Sequence, residues 1–159
     1  MDMLVKLYDL KMPDFDRLKK DGIVIKKAIA PEKEIIVDWV RRNFSNSWSS
    51  ECDVAISCVP SKCFIAIKKN QIIGFACYDS TAKGFFGPIG VLEKYRKYGV
   101  GKALLLKTLE QMKYDGYAYA IIGWVGPVDF FKKNVNAILI PDSEPGIYDS
   151  MLKNKVKLD

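Results

Sequence analysis

Apolar residues recur along the chain at two different spacings, and the switches between them mark out the elements. Ile23-Val24-Ile25-Lys26-Lys27-Ala28-Ile29 is β-branched and bounded by Gly22 and Pro31, which predicts a first main strand. A short apolar start, Leu4 to Leu10, and a brief helix from Pro13 to Lys20 precede it. After Pro31 the spacing turns helical: Glu32 and Glu34 stand near the positive end, Ile35, Ile36, Trp39 and Val40 share a face, and Arg41-Arg42 lie near the close. Ser49 or Ser50 is expected to cap a second short helix reaching about Cys58, with Pro60 ending it. Cys63–Ile67 and Gln71–Tyr78 flank the polar Lys68-Lys69-Asn70 and read as a hairpin, and a further strand is expected from Phe85 to Leu92. A long helix follows from about Gly99 to Tyr114, burying Val100, Ala103, Leu105, Leu106, Leu109 and Met112 and stopping at Asp115-Gly116. Tyr117 to Trp124 is apolar enough for a strand buried on both faces. Gly126-Pro127 opens a last helix to about Asn134, and Ala137 to Ile140 forms a final strand before a turn-rich tail. Strand, two helices, three strands, helix, strand, helix, strand describes an α/β (α+β) sandwich: a mixed, mostly antiparallel central sheet flanked by helices.

Composition narrows this without redirecting it. A chain of 159 residues with 49% hydrophobic and 28% charged residues is expected to fold as one domain, residues 1–159. No run approaches the ~20 apolar residues that span a membrane, and the N-terminus lacks a secretory pattern, so a cytoplasmic location without membrane association is expected. The net charge of +6 favours anionic partners. Its basic residues are scattered in pairs such as Lys19-Lys20 and Lys132-Lys133, which argues against a nucleic-acid surface. Four cysteines, Cys52, Cys58, Cys63 and Cys77, are expected as reduced, mostly buried thiols. With no C-x2-C spacing and no histidine, no metal site is expected. The missing histidine also leaves any general base to a carboxylate, tyrosine, thiolate, amine or water.

The chemistry concentrates where a strand gives way to a helix, Ile89-Gly90-Val91-Leu92-Glu93-Lys94-Tyr95-Arg96-Lys97-Tyr98-Gly99-Val100-Gly101-Lys102. Two glycines on alternate residues let backbone N–H groups approach an anion, and a helix N-terminus adds partial positive charge, so a diphosphate suits the segment. Arg96 and Lys102 bracket the glycines with full charges. Gly99 and Gly101 would equally serve a plain loop. Two rival phosphate motifs fail: a dinucleotide fingerprint needs glycine where Leu104 stands, and a P-loop needs Ser or Thr where Ala103 stands.

The run Arg96-Lys97-Tyr98-Gly99-Val100-Gly101, with apolar Val91 five places before the arginine, resembles the acyl-CoA loop of the GNAT superfamily of N-acetyltransferases, and the order of elements from about Ile23 to Ile140 agrees. The resemblance implies a GNAT-like fold with acetyl-CoA as co-substrate and an amine as acceptor, and it leaves a homodimer open. It implies that Ile89, Gly90 and Val91 pair with the pantetheine arm like an added strand and that Lys97, Tyr98, Gly99, Val100, Gly101 and Lys102 cradle the pyrophosphate. The strand carrying Val91 would splay from the strand of Tyr117 to Trp124, leaving a gap for the thioester.

One departure touches catalysis. Where many family members carry a proton-donating tyrosine on the last helix, this chain has Phe131, preceded by Phe130; both are assigned to core or cofactor contact. The acid then falls to another group such as Tyr78 or Tyr148, or to water, or is not needed, and the base falls to Glu51, Asp53 or Asp79, each of which also reads as an ordinary surface carboxylate. Trp48 would wall an acceptor pocket or cap the core. Cys77 as a covalent acyl carrier is the weaker idea against plain packing. The alternative to an active enzyme is a non-catalytic acyl-CoA-binding or regulatory module of the same fold.

Overall fold

In the computed structural model, which describes residues 1–153, strands β1 (Met3–Lys6), β2 (Ile23–Lys27), β3 (Cys63–Lys68), β4 (Gln71–Tyr78), β5 (Phe85–Val91), β6 (Tyr119–Ile122) and β7 (Ile138–Leu139) join one sheet. Its order is β2-β3-β4-β5-β6-β1-β7. Every pairing is antiparallel except β5 with β6. The helices are α1 (Asp16–Lys20), α2 (Lys33–Asn43), α3 (Asn46–Ile56), α4 (Val100–Tyr114) and α5 (Val128–Val135). Among the described residues, no helix is long and apolar enough to cross a membrane.

The sheet divides the core into two layers. On one face α4 lays Leu104, Leu105, Leu106, Leu109 and Met112 against Ile73, Ala76, Tyr78, Phe86 and Ile122. On the other, α2 and α3 contribute Ile36, Val40, Cys52 and Ile56 against Cys63, Ile65, Phe75 and Cys77. β4 lies between both layers, so Ile73 to Tyr78 are buried without interruption, as a central strand covered on both faces requires. Shortening a leucine such as Leu106 to alanine would cost about 2–5 kcal/mol.

Local chemistry accounts for the boundaries. Lys69 and Asn70 both take positive φ, 49° and 59°, the geometry of a two-residue hairpin turn whose twist matches its strands. α3 begins earlier than the serine pattern predicts. Ser45, not Ser49 or Ser50, is the cap, accepting a hydrogen bond from the Trp48 N–H at 3.1 Å, while the Ser49 and Ser50 hydroxyls donate back to the Asn46 carbonyl inside the helix. The apolar start also proves to be sheet: β1 inserts between β6 and β7, pairing Met3 with both Ile122 and Leu139. β6 is buried on one face only, because Ala120 and Ile122 face α4 while Tyr119 stays exposed.

Candidate functional site

Adjacent strands normally pair along their common length, and β5 and β6 do not. Their parallel ladder is confined to Phe85 with Ile121 and Phe86 with Ile122, after which β6 ends and β5 continues to Val91. The unpaired edge of β5 is a vacant pairing surface of the kind an extended chain can join. Backbone groups alternate in direction along the strand. The Leu92 N–H donates to Ile73 of β4, and the Gly90 carbonyl likewise faces β4, so Ile89 and Val91 turn their backbone groups to the gap while Gly90 does not. Gly90 is required for a different reason: a Cβ there would lie 2.6 Å from the Phe44 ring. Phe44 joins Trp39, Trp48 and Phe75 in an aromatic cluster that seats the α2–α3 turn on β5, and Trp48 therefore caps this core.

Beyond β5 a tight 3-10 turn, Glu93–Tyr98, leads into α4 through Gly99, which adopts φ 78° where a side chain would be strained. Among the described residues no side chain caps α4, which leaves its first N–H groups and the positive end of its dipole facing outward. Lys97, Tyr98 and Lys102 are exposed around this end, and Val100 is buried as its anchor. Arg96 Nε donates to the Val91 carbonyl at 3.2 Å, bracing the strand end against the turn. Lys68 lies 5.5 Å from the Tyr98 ring centre and 5.9 Å from that of Tyr95, a further cation brought to the turn by β3 that no motif announces. Around Gly101 a Cβ would meet Phe130 and Val91 at ordinary contact distance. Phe130 thus borders the helix start. Phe131, in contrast, is 2% exposed and packed between Phe86 and Phe130, so of the two placements expected for it, core or cofactor contact, the fold gives it the core.

The candidates for proton transfer separate into two groups. Tyr78 is 1% exposed and its hydroxyl donates to Asp115 at the far end of α4; burial first, then Asp115, raises its pKa. Asp79 accepts from Lys62 Nζ at 2.7 Å, from the Gly84 N–H at 2.7 Å and from the Tyr117 hydroxyl at 2.8 Å. Burial pushes its carboxyl up, but these bonds outweigh it and hold the pKa below the usual value. Both residues knot β4 to the start of β6 at the end of the sheet opposite the uncapped helix. Asp53 is tied at the surface to Lys33 at 2.8 Å, which lowers its pKa. Cys77 is fully buried and its thiol pushed up by that burial, so it presents no nucleophile.

Glu51 and Tyr148 remain. Glu51 is half-buried on α3 and accepts from the Thr81 hydroxyl; burial outweighs that bond and raises its pKa. Tyr148 reaches over Gly123 at the end of β6, where a Cβ would lie 2.3 Å from its hydroxyl and 2.8 Å from the Phe85 ring. Burial, then the charges of Asp2 and Glu51, push its pKa up to about 12. Tyr148 stacks on Trp124 with ring centres 5.0 Å apart, and the pair walls a cavity of about 110 Å³ with Asp2 and Ser143. Thr81, Phe85, Gly123 and Trp124 escaped the sequence reading because none stands in a motif. The one available signal was Gly123 closing an apolar strand.

A family model described as the acetyltransferase (GNAT) family matches residues 33–137. Similar solved structures include the GCN5-related glucosamine N-acetyltransferase region of a fungal multi-domain GH3 β-N-acetylglucosaminidase, 18% identical with a TM-score of 0.69 over 84% of this chain and 19% of that one. A GCN5-related N-acetyltransferase from Sphaerobacter thermophilus is 18% identical with a TM-score of 0.61 over 87% of this chain and 47% of that one. An aminoglycoside acetyltransferase from an uncultured soil metagenomic sample, in complex with sisomicin, is 15% identical with a TM-score of 0.53 over 72% and 88%. The chain thus spans less than half the length of the first two. Among curated proteins nothing matches. The seven-stranded mixed sheet flanked by helices matches these structures in fold, and because the family model runs from α2 to just past the end of α5, more than half of the sequence, the chain belongs to the acetyltransferase (GNAT) family.

Proposed function

We propose that the chain is an N-acetyltransferase acting in the cytoplasm, with acetyl-CoA as co-substrate and a primary amine of a small molecule or peptide as acceptor. The observation that carries this reading is the parting of β5 from β6 immediately before a helix whose N-terminus no side chain caps. The residues fit the co-substrate: Ile89 and Val91 offer backbone groups to a pantetheine arm, and the N–H groups of Val100 to Lys102 with Arg96, Lys97 and Lys68 offer charge to its phosphates. Acetyl-CoA supplies the activated acyl carbon.

The chain's own groups handle the protons. The acceptor enters from the α3 face, where Glu51, its pKa raised by burial, takes the proton that an ammonium must lose before attack. Tyr148 stays protonated up to about pH 12 and donates to the departing sulfur in place of the tyrosine that Phe131 replaces. Backbone N–H groups facing the gap on β5 hold negative charge developing on the acyl oxygen.

The test is release of free CoA thiol with a panel of polyamines, aminoglycosides, amino acids and peptide N-termini. Turnover with at least one class is expected. Tight acetyl-CoA binding without release across the panel would select the binding-module alternative. Tyr148→Phe is expected to lower kcat about a hundredfold with acetyl-CoA affinity unchanged; an unaltered kcat would return the proton-donor role to water.

A further inference from the structure

The cavity that Tyr148 walls together with Trp124 holds a carboxylate with an unpartnered oxygen. Asp2 stands just ahead of β1 and is 7% exposed. Its backbone is fixed from both sides: the N–H donates to the Ser143 hydroxyl at 2.8 Å, and the carbonyl accepts from the Ile140 N–H at 2.9 Å. Oδ1 accepts from the Trp124 N–H at 2.9 Å. Oδ2 has no donor among the described residues, and the side chain lines the cavity. A buried carboxylate without a cation is costly, so an oxygen held in this way favours a positively charged ligand. Two cations border the same cavity. The Met1 amino group is taken by Glu144 at 3.2 Å, and Lys153 makes no ion pair with either carboxylate.

We propose that Asp2 selects acceptors carrying a second ammonium, the alkyl diamines and polyamines, an inference that rests on the chain's action as an amine acetyltransferase. The reacting amine then lies toward Glu51 and the second ammonium pairs with Asp2 Oδ2, with Tyr148 between them. The charges of Asp2 and Glu51 both reach the Tyr148 hydroxyl and raise its pKa, so the phenol stands in the field of each. Most of the remaining lining suits methylene groups rather than a sugar. Trp124, Tyr148 and Met151 offer aromatic and thioether surface, and an indole face near the carboxylate adds attraction for an ammonium. The Ser143 hydroxyl is already engaged, donating to the Ile140 carbonyl at 2.7 Å while accepting from Asp2. No sequence pattern marks the group, because its members come from before β1, after β6 and after β7.

The experiment measures kcat/KM by CoA-thiol release from the full chain, for α,ω-diamines from diaminobutane to diaminooctane, each against the amino alcohol of the same length. At its best length the diamine is expected to exceed the amino alcohol by roughly tenfold, as one charge-assisted hydrogen bond supports. Asp2→Asn, which keeps an acceptor for the Trp124 N–H, is expected to erase that ratio. Equal values in the parent, as would follow if Lys153 neutralised Asp2, would overturn the proposal, and so would a ratio that Asp2→Asn leaves in place. If the variant fails to fold, the ratio in the parent decides. An absence of turnover with every amine would sink the acetyltransferase reading instead. Calorimetry on the CoA-loaded chain then decides the role of Asp2: the diamine is expected to bind roughly tenfold tighter than the amino alcohol, and equal affinities would overturn it.

Discussion

The two halves of the proposed acyl-transfer site are assembled differently. Apart from Lys68 of β3, the half assigned to the co-substrate is one continuous stretch in which β5, its turn and α4 follow directly, so the geometry of Gly99 and the uncapped helix is fixed by neighbours in the sequence. The acceptor half draws Glu51 from α3, Thr81 from the β4–β5 turn, Gly123 from the end of β6 and Tyr148 from the tail. A local unit carries its function in its backbone, whereas a dispersed one carries it in side chains that the fold must deliver. The two halves should therefore fail in different ways when altered.

The largest effect is expected at Glu51. Glu51→Gln removes the proposed base and is expected to lower kcat by roughly a thousandfold while leaving acetyl-CoA affinity unchanged. Activity of the parent should rise with pH through a pKa above the ordinary carboxylate value, and that limb should vanish in the variant. Stability should move the other way. A carboxyl whose pKa is raised on folding binds its proton more tightly in the folded state, so its contribution to stability is greatest below the unfolded pKa and is lost as pH rises through the raised one. The glutamine should thus raise the thermal midpoint at about pH 8 and leave it unchanged at about pH 4. Loss of acetyl-CoA affinity in this variant would erase the separation between the halves.

The same contrast explains what was legible in the sequence. The hairpin, α4 and the glycine turn were readable because turn chemistry and apolar period act over a few residues. β1 was not, since only β6 and β7 on either side make Met3–Lys6 a strand. Tyr78 and Asp79 were equally attractive as candidates beside Glu51 and Tyr148, because a carboxylate or phenol shows its role only through its partners. Lys62, Tyr117 and Asp115 claim the first pair, and none of these contacts leaves a local trace.

Gly99→Glu is the corresponding break in the co-substrate half. It forces a side chain into φ 78° and sets a carboxylate against the phosphates, where like charges cost several kcal/mol. Acetyl-CoA affinity measured calorimetrically is expected to fall roughly a hundredfold. Unchanged affinity would detach this turn from the co-substrate.

Asp79→Asn probes a residue that belongs to neither half. It leaves Lys62 and Tyr117 short of a charged partner and is expected to cost about 2–3 kcal/mol in denaturant unfolding with kcat unchanged. Since Asp79's pKa is lowered on folding, this contribution is present above the unfolded carboxylate pKa and lost as pH falls through the folded value. The difference between parent and variant should therefore close in acid. A variant with normal stability and no turnover would return Asp79 to the acceptor site.

The smallest effect is expected at Arg96, the residue that joins strand to turn. Its Nε is engaged by the Val91 carbonyl, so the guanidinium is held along the edge of β5 while its remaining N–H groups stay available. Arg96→Ala removes one neutral-acceptor hydrogen bond and one charge in a solvated position, a loss of about 1 kcal/mol and hence roughly fivefold in acetyl-CoA affinity. The two contributions separate by ionic strength, because a charge–phosphate attraction is screened by salt and the bond to Val91 is not. If the fivefold difference shrinks as salt is added, Arg96 acts on the phosphates. A difference that persists in high salt, with a matching drop in thermal midpoint, would make Arg96 a brace of the strand end and leave the anion to the α4 N–H groups and the lysines alone.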